Sequence, residues 1–446
     1  MTSTAHDSAS MRRHDREILA LALPAFGALV AEPLFLLADS AIVGHLGTPQ
    51  LAGLGVAATL LQTAVHLFVF LAYATTAAVA RRVGAGDLPA AIRQGMDGVW
   101  LALLISALVV AAVLPGAPAL VELFGASPSA APHATTYLRI SALGVPAMLI
   151  VLSATGVLRG LQDTRTPLYV ALGGFTANGL LNVALVYGFG LGIAGSAWGT
   201  VLAQWGMAAV YLFVVVRGAR RHGASLRPDV AGIRACAHAG APLLIRTLSL
   251  RAILVLATAV AARLGNADVA AHQITLTVWS LMAFALDAVA IAGQAIIGRY
   301  LGAGDEAGAR AACRRMVQWG VLAGLALGAA LAASRPLLMP LFSSDPEVHA
   351  QLAAALLVVA VTQPLAGVVF VLDGVLMGAG DGPYLAGAML ATLAVYVPVA
   401  LLVPVFGGGL TALWWTVAGL MMGMRLATLW TRARSGRWIV TGAVRA

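Results

Sequence analysis

The chain has 446 residues, of which 60% are hydrophobic and 10% charged, and its formal net charge is +9. A typical soluble domain is about 45–50% apolar and roughly 25% charged, so this composition excludes a soluble enzyme, a disordered chain and a nucleic-acid-binding protein. Cys236 and Cys313 are too few and too far apart to form a disulfide framework or a zinc site. The composition predicts a polytopic membrane protein that is not an enzyme.

Apolar stretches of membrane-spanning length follow one another along the whole chain. A bilayer core about 30 Å thick requires around 20 apolar residues per helix. Short breaks rich in Gly, Pro, Asp and Arg separate the stretches, which predicts an all-α protein with twelve spans. The spans begin near Ile18, Leu51, Ile92, Tyr137, Leu168, Ile193, Cys236, Val269, Met316, Leu352, Tyr384 and Leu410.

An internal repeat divides these spans into two sets of six. Pro24 matches Pro242 at an offset of 218 residues, and Gly84-Ala85-Gly86-Asp87 matches Gly302-Ala303-Gly304-Asp305 at the same offset. The repeat indicates a duplication. Because six is even, both sets begin on the same side of the membrane, so the two lobes are expected to be parallel. The Gly-Ala-Gly-Asp segments are expected to be tight turns with a helix cap.

The repeat and the polar segments predict five regions. A cytoplasmic tail of residues 1–17 precedes an N-lobe of residues 18–216. A polar, basic surface linker of residues 217–235 leads to a C-lobe of residues 236–432, and residues 433–446 form a second cytoplasmic tail.

The arginines predict the orientation of the chain in the membrane. All 27 basic side chains are Arg, and 21 of them fall in segments on the side of the N-terminus. Short cytoplasmic loops carry an excess of positive charge, so both termini are expected in the cytoplasm and the protein in a bacterial inner membrane. The basic linker is expected to contact anionic lipid and no nucleic acid.

Ionisable side chains inside the predicted spans are the first candidates for function, because burying them in hydrocarbon is costly. Asp39, Asp287, Asp373 and Arg246 have apolar or hydroxyl residues at the matching positions of the other half. Features found in one half only are expected to serve a task, although Asp287 could also simply neutralise Arg246. The other polar candidates within spans are Glu32, His66, Asn178, Asn182, Gln273 and Gln294.

The sequence contains no phosphate-binding loop, paired-histidine zinc motif or nucleophile elbow. No metal or organic cofactor is therefore expected. Energy for any transport is expected to come from an ion gradient or from the gradient of the substrate itself.

Several of these segments resemble the multidrug and toxic compound extrusion (MATE) family, and most closely its branch named after DNA-damage-inducible protein F (DinF). The segment from Glu32 to Gly47 is similar to the first span of that family. Ala271-His272-Gln273-Ile274, the segment from Asp287 to Gln294 and the segment from Asp373 to Asp381 support the DinF branch. The resemblance covers about residues 18–432.

The resemblance implies two six-helix bundles of the MATE type, forming a V around a central cavity. It also implies secondary antiport by a monomer, in which a toxic, often cationic or amphipathic, organic compound leaves while H⁺ or Na⁺ enters. Asp39 falls on the aspartate of the N-lobe ion site of the family, and Asn182 and Thr200 fall on residues that accompany it. An Asp of many members is Val186 here, which removes a Na⁺ ligand and favours H⁺.

These expectations combine into a candidate site and a mechanism. Protonation of Asp39 is expected to change its hydrogen bonds and to bias bending of the first span at the candidate hinge Pro24, as two lobes alternate between outward and inward access. An exporter or flippase of lipid-linked or other polar compounds from the same superfamily is the alternative function. The further ion-coupling candidates are Asp287 and Asp373, and the substrate-cavity candidates are Glu32, His66, Asn178, Arg246, Gln273 and Gln294.

Overall fold

The structure is a computed structural model that describes residues 2–342 and 345–444, and within them all side chains except those of residues 2–13, 32 and 37. The described chain is built of α-helices, two of which continue into π-helical segments at Ala184–Gly188 and Trp415–Met421. The helices are α1 (Thr2–Gly44), α2 (Thr48–Phe68), α3 (Phe70–Gly84), α4 (Leu88–Leu123), α5 (Ala131–Ala142), α6 (Val145–Gly160), α7 (Arg165–Val183), α8 (Gly192–Arg221), α9 (Val230–Leu264), α10 (Asn266–Gly302), α11 (Glu306–Phe342), α12 (Pro346–Gly378), α13 (Gly382–Val405), α14 (Leu410–Trp414) and α15 (Met422–Ser435).

The helices confirm the predicted membrane spans. The described residues contain eleven helical stretches long and apolar enough to cross a bilayer, with α2 and α3 together forming one of them. A twelfth span consists of α5 and α6, which meet at a bend of 51°. Pro146 lies at the start of α6, where its missing N–H costs no helical hydrogen bond, so the predicted fourth span is a broken one.

Both Gly-Ala-Gly-Asp segments form the predicted capped turns. Gly86 and Gly304 have φ angles of 79° and 76°, a left-handed conformation that glycine adopts without strain. The side chain of Asp87 then accepts a hydrogen bond from the backbone N–H of Ala90 at 3.0 Å. Asp305 accepts one from the N–H of Gly308 at 2.7 Å, so the start of α4 and the start of α11 are capped in the same way.

The duplication is also visible in how helices pack. A methyl group placed on Gly156 of α6 would lie 2.6 Å from the carbonyl oxygen of Ala72 in α3. A methyl group on Gly374 of α12 would lie 2.4 Å from the carbonyl oxygen of Ala290 in α10. Both pairs are related by the 218-residue offset. Glycine at these positions lets two backbones approach closely, as small residues do in membrane helix pairs.

The chain divides by its contacts into two compact units. Unit 1 contains Met1–Phe26 together with Ala241–Ala446, and unit 2 contains Gly27–Gly240. The boundaries therefore lie inside α1 and α9, whereas the sequence predicted a boundary in the linker of residues 217–235. The first turns of α1 pack with the second half of the chain, and the first turns of α9 pack with the first half.

Ion pairs hold the start of α1 in unit 1. The carboxylate of Asp15 receives two hydrogen bonds from Arg315 of α11, at 2.6 and 2.8 Å, and a third from the indole N–H of Trp319 at 2.8 Å. Glu17 pairs with Arg299 of α10. Bidentate arginine–carboxylate contacts of this kind fix orientation as well as distance.

The start of α9 is held in unit 2 at equivalent positions. Arg93 of α4 pairs with Asp229 at 2.9 Å, directly before α9 begins. A methyl group on Gly232 would lie 2.1 Å from a carboxylate oxygen of Asp97. Asp97 and Arg315 are 218 residues apart, so the same position of the repeat receives the first helix of the other half in both cases.

The linker is shorter than the sequence indicated. Helix α8 continues to Arg221 and α9 begins at Val230, which leaves residues 222–229 between them. Asp229 accepts a hydrogen bond from the N–H of Ala231 at 3.1 Å, and the carbonyl oxygen of Leu226 accepts one from Trp100. Local capping thus starts the helix inside a stretch whose polar composition predicted a loop.

Candidate functional site

A buried carboxylate near the end of α1 is surrounded by polar side chains from three other helices of unit 2. Asp39 is 4% exposed, and its Oδ1 accepts hydrogen bonds from the amide Nδ2 of Asn182 at 2.8 Å and from the hydroxyl of Ser196 at 2.7 Å. Its Oδ2 accepts one from the hydroxyl of Tyr137 at 3.3 Å. Among the described residues, no arginine or histidine forms an ion pair with Asp39.

Thr200 lies in the second layer of this group. Its hydroxyl donates to the backbone carbonyl of Ser196 at 3.0 Å, and its side chain interacts with the hydroxyl of Tyr137. We call Asp39, Tyr137, Asn182, Ser196 and Thr200 the Asp39 cluster. Of the predicted companions of Asp39, Asn182 contacts the carboxylate directly, whereas Thr200 reaches it through its neighbours.

The backbone around the cluster explains why these side chains meet. Asn182 lies at the end of α7, where the chain continues into the π-helical turn Ala184–Gly188. A methyl group on Gly195 would lie 2.8 Å from the carbonyl carbon of Leu185, so α8 packs against this turn without intervening side chains. A π-helical insertion of this type shifts the following turn relative to an α-helix and is frequent at functional sites.

The amide oxygens of α7 point away from Asp39. A methyl group on Gly199 would lie 2.1 Å from Oδ1 of Asn182, so the oxygen faces α8 while the nitrogen faces the carboxylate. Asn178, one turn earlier, is 2% exposed. Neither its Oδ1 nor that of Asn182 has a hydrogen-bond partner in the part of the chain that the structure describes.

Two members of the Asp39 cluster, Tyr137 and Ser196, were not singled out by the sequence. Both have alanine at the matching position of the second half, Ala355 and Ala412. The asymmetry that identified Asp39 was applied to charged residues only. Extending it to hydroxyl side chains would have found both positions.

A second polar group lies in the spans of unit 1 and contains two of the predicted residues. Arg246 of α9 makes a bidentate contact with Asp373 of α12, with one bond at 3.1 Å from Nε to Oδ1. Arg425 of α15 donates to Oδ2 of the same carboxylate at 3.1 Å. Asp287, half-buried on α10, interacts electrostatically with Arg425. We call Arg246, Asp287, Asp373 and Arg425 the Asp373 network.

The remaining predicted residues do not join either group by a described contact. His66 donates or accepts through Nδ1 at 2.7 Å from the carbonyl oxygen of Gln62 in its own helix. Gln294 is buried and bonds to the sulfur of Met377, whereas Gln273 is exposed. Pro24 lies inside α1, two residues before the end of the unit 1 segment. The side chain of Glu32 lies outside the described residues.

The described residues contain no group of three or more His, Cys, Asp or Glu side chains placed to hold a metal ion. The chemistry that the Asp39 cluster offers is therefore that of one carboxylate and its hydroxyl and amide donors. When ionised, the carboxylate is satisfied by three donors. When protonated, it must donate to one of the hydroxyls, which can turn from donor to acceptor.

Comparison with known proteins identifies the family. The family model MatE matches residues 24–195 and again residues 242–402, and the starts of these two matches are separated by the 218-residue offset of the internal repeat. "Protein DETOXIFICATION 45, chloroplastic" from Arabidopsis thaliana is 31% identical over 95% of this chain and 79% of its own length. "DNA damage-inducible protein F" from Escherichia coli is 31% identical over 95% of this chain and 94% of its own.

Solved structures agree on the fold. A transporter of the MOP superfamily from Pyrococcus furiosus superimposes with a TM-score of 0.86, covering 95% of this chain and 96% of its own at 21% identity. At this level of identity the likeness concerns the fold alone.

Proposed function

Since the chain belongs to the MatE family of multidrug and toxic compound extrusion transporters, we propose that it exports amphipathic organic compounds in exchange for H⁺, and that Asp39 carries the proton. The protein is an integral, multi-pass membrane protein and not an enzyme. The single observation that carries the proposal is the buried carboxylate of Asp39, held by three neutral donors and in ion-pair contact with no described arginine or histidine.

A neutral environment suits a carboxylate that must gain and lose a proton. A cation beside Asp39 would hold it permanently ionised, because an opposite charge favours the charged form. The donors in the Asp39 cluster are two hydroxyls and an amide, and both hydroxyls can accept a proton from the neutral acid. Proton uptake therefore rearranges hydrogen bonds between α1, α5 and α8.

The donor set favours H⁺ over Na⁺. A hard cation takes several oxygen ligands, yet Asn182 presents its nitrogen to Asp39 and its oxygen to Gly199. Val186, buried in the π-helical turn, contributes no oxygen where many relatives carry an aspartate. Fewer oxygens thus converge on Asp39 than a Na⁺ site requires.

Helix α1 gives the proton event a mechanical output. Its segment up to Phe26 belongs to unit 1 and its segment from Gly27 belongs to unit 2, where Asp39 is bonded to α5, α7 and α8. Pro24 lies beside this boundary, where its ring removes one helical hydrogen bond and eases bending. A change at Asp39 therefore acts on a helix that both units share.

We further propose a monomer in a bacterial inner membrane with both termini in the cytoplasm. The arginine distribution supports this orientation. Maleimide labelling of single cysteines in a Cys236→Ser/Cys313→Ser background tests it, with a cysteine at Ser225 expected to react only from the cytoplasmic side. Reaction from outside would reverse the topology.

Transport in proteoliposomes tests the coupling ion. Purified protein is reconstituted with an encapsulated fluorescent drug, and a pH gradient or a Na⁺ gradient is imposed separately. We expect the pH gradient alone to drive efflux, and Asp39→Asn to abolish it. Glu122→Gln, which removes an exposed acid from the same unit, is the matched control and should leave efflux unchanged. Full efflux by Asp39→Asn, or efflux driven by Na⁺ alone, would refute the proposal.

A further inference from the structure

One positive charge in the membrane-spanning part of unit 1 has no counter-charge. Arg251 lies on α9, 21 residues after its first residue and 13 before its last, and it is half-buried. At a rise of about 1.5 Å per residue, the helix ends are roughly 30 and 20 Å away, farther than the side chain can extend. Within residues 2–342 and 345–444, no hydrogen bond or ion pair to Arg251 is present.

The acids of the same spans are already engaged. Asp373 is shared by Arg246 and Arg425, and Asp287 interacts with Arg425. On its own helix face, Thr247 and Thr258 donate their hydroxyls to backbone carbonyls one turn earlier. The described surroundings therefore supply no acceptor that neutralises Arg251.

An unpaired guanidinium at this depth is costly, and such residues face a ligand pathway in most membrane proteins. The neighbours three residues before and four residues after Arg251 are Leu248 and Val255, which are 46% and 67% exposed. The accessible surface around the cation is thus apolar. A partner that fits both features has an acidic group for the guanidinium and an apolar body for the leucine and valine.

We propose that Arg251 binds the acidic group of amphipathic organic anions, and that carboxylates or sulfonates of this type are transport substrates. The planar guanidinium matches the two oxygens of such a group with two parallel hydrogen bonds. Pro33 occupies the matching position in the first half, so this binding site is specific to unit 1. The substrate assignment rests on the export function proposed above, whereas the binding site itself does not.

Equilibrium binding of two matched dyes tests the site. Full-length protein in nanodiscs of phosphatidylcholine is titrated with 8-anilinonaphthalene-1-sulfonate and with N-phenyl-1-naphthylamine, which has the same ring system without the sulfonate. We expect Arg251→Gln to raise the Kd of the sulfonate dye at least tenfold and to leave that of the neutral dye within twofold. Arg263→Gln, which removes an exposed arginine from the same helix, is the control and should change neither.

Arg251→Met keeps the test decisive if the Gln variant fails to fold. An apolar chain of similar length suits the membrane, and because no described partner is stranded, the Met variant should be at least as stable as the wild type. It should lose the sulfonate dye to the same extent. Unchanged sulfonate binding in either folded variant, or equal weakening of both dyes, would overturn the proposal.

A lipid headgroup is the other source of an acidic group. Nanodiscs containing phosphatidylglycerol distinguish the two, and we expect the sulfonate dye to bind the wild type there with an unchanged Kd. Displacement of the dye by phosphatidylglycerol would assign Arg251 to lipid and overturn the substrate assignment. Asp39→Asn should bind the sulfonate dye normally, so a failure of proton coupling and a failure of this site give separate results.

Discussion

Removing the carboxylate of Asp373 should destabilise unit 1 more than any other single change in its charged residues. The Asp373→Asn variant strands Arg246 and Arg425, and Asp373 and Arg425 are each 4% exposed. At a separation of about 4 Å and an effective dielectric constant near 20, each ion pair is worth roughly 4 kcal/mol before desolvation. Breaking a buried pair from one side costs about 3–5 kcal/mol, which is the expected loss in free energy of unfolding.

The measurement is the midpoint of unfolding by SDS in mixed micelles, followed by tryptophan fluorescence. Glu306→Gln removes an exposed acid at the start of α11 and serves as the control, with an expected change below about 0.5 kcal/mol.

A double variant separates charge balance from a general loss of packing. Arg246→Gln combined with Asp373→Asn removes one stranded cation and leaves Arg425 with Asp287, so it should recover at least about 2 kcal/mol relative to the single variant. An unchanged midpoint in Asp373→Asn, or no recovery in the double variant, would refute the role of Asp373 as the shared counter-ion of two arginines.

Three further outcomes are expected. Ser196→Ala removes one donor from ionised Asp39, so the carboxylate should protonate at higher pH and the pH profile of efflux should move upward; an unchanged profile would place Ser196 outside the proton step. Gly374→Val should cost about 1–3 kcal/mol or prevent folding, because the helix contact with α10 leaves no room, whereas Gly387→Val in open space should be tolerated when both are compared by SDS unfolding. Asp87→Ala should cost about 1 kcal/mol in the same assay through loss of the cap of α4, and a neutral result would contradict that cap.

Much of the fold could be predicted because the membrane imposes it. A span requires an apolar stretch of defined length, and that signal is long, repeated and easily read. The Gly-Ala-Gly-Asp turns were predictable for a local reason, since glycine and a capping aspartate specify the turn by themselves. The bend between α5 and α6 was not predicted, since a proline can either start a helix or kink it, and only the neighbouring turns decide.

The boundary between the two units could not be predicted in the same way. Charge and composition mark residues 217–235 as polar, but they do not show that α9 begins at Val230 or that its first turns pack against α4. Such docking depends on pairs like Arg93 and Asp229, which are 136 residues apart in the chain.

The candidate site was predicted in part. Asp39 and Asn182 were matched correctly as a pair by resemblance, and the structure joins them at 2.8 Å. Tyr137 and Ser196 escaped because a hydroxyl in an apolar stretch is common and carries no charge to draw attention. In unit 1, the sequence suggested Asp287 as a counter-ion for Arg246, whereas the described contact of Arg246 is with Asp373. Partners on different helices require the packing.

The exchange of helix starts described above bears on how the two halves can be separated. A chain cut within residues 222–229 would yield two fragments, and each fragment would carry the opening turns of a helix whose docking site lies on the other. Neither fragment contains a complete unit, since unit 1 needs Met1–Phe26 and unit 2 needs Val230–Gly240. The duplicated six-helix segment is therefore not a self-sufficient module, and two copies of it must be present together before either one is whole.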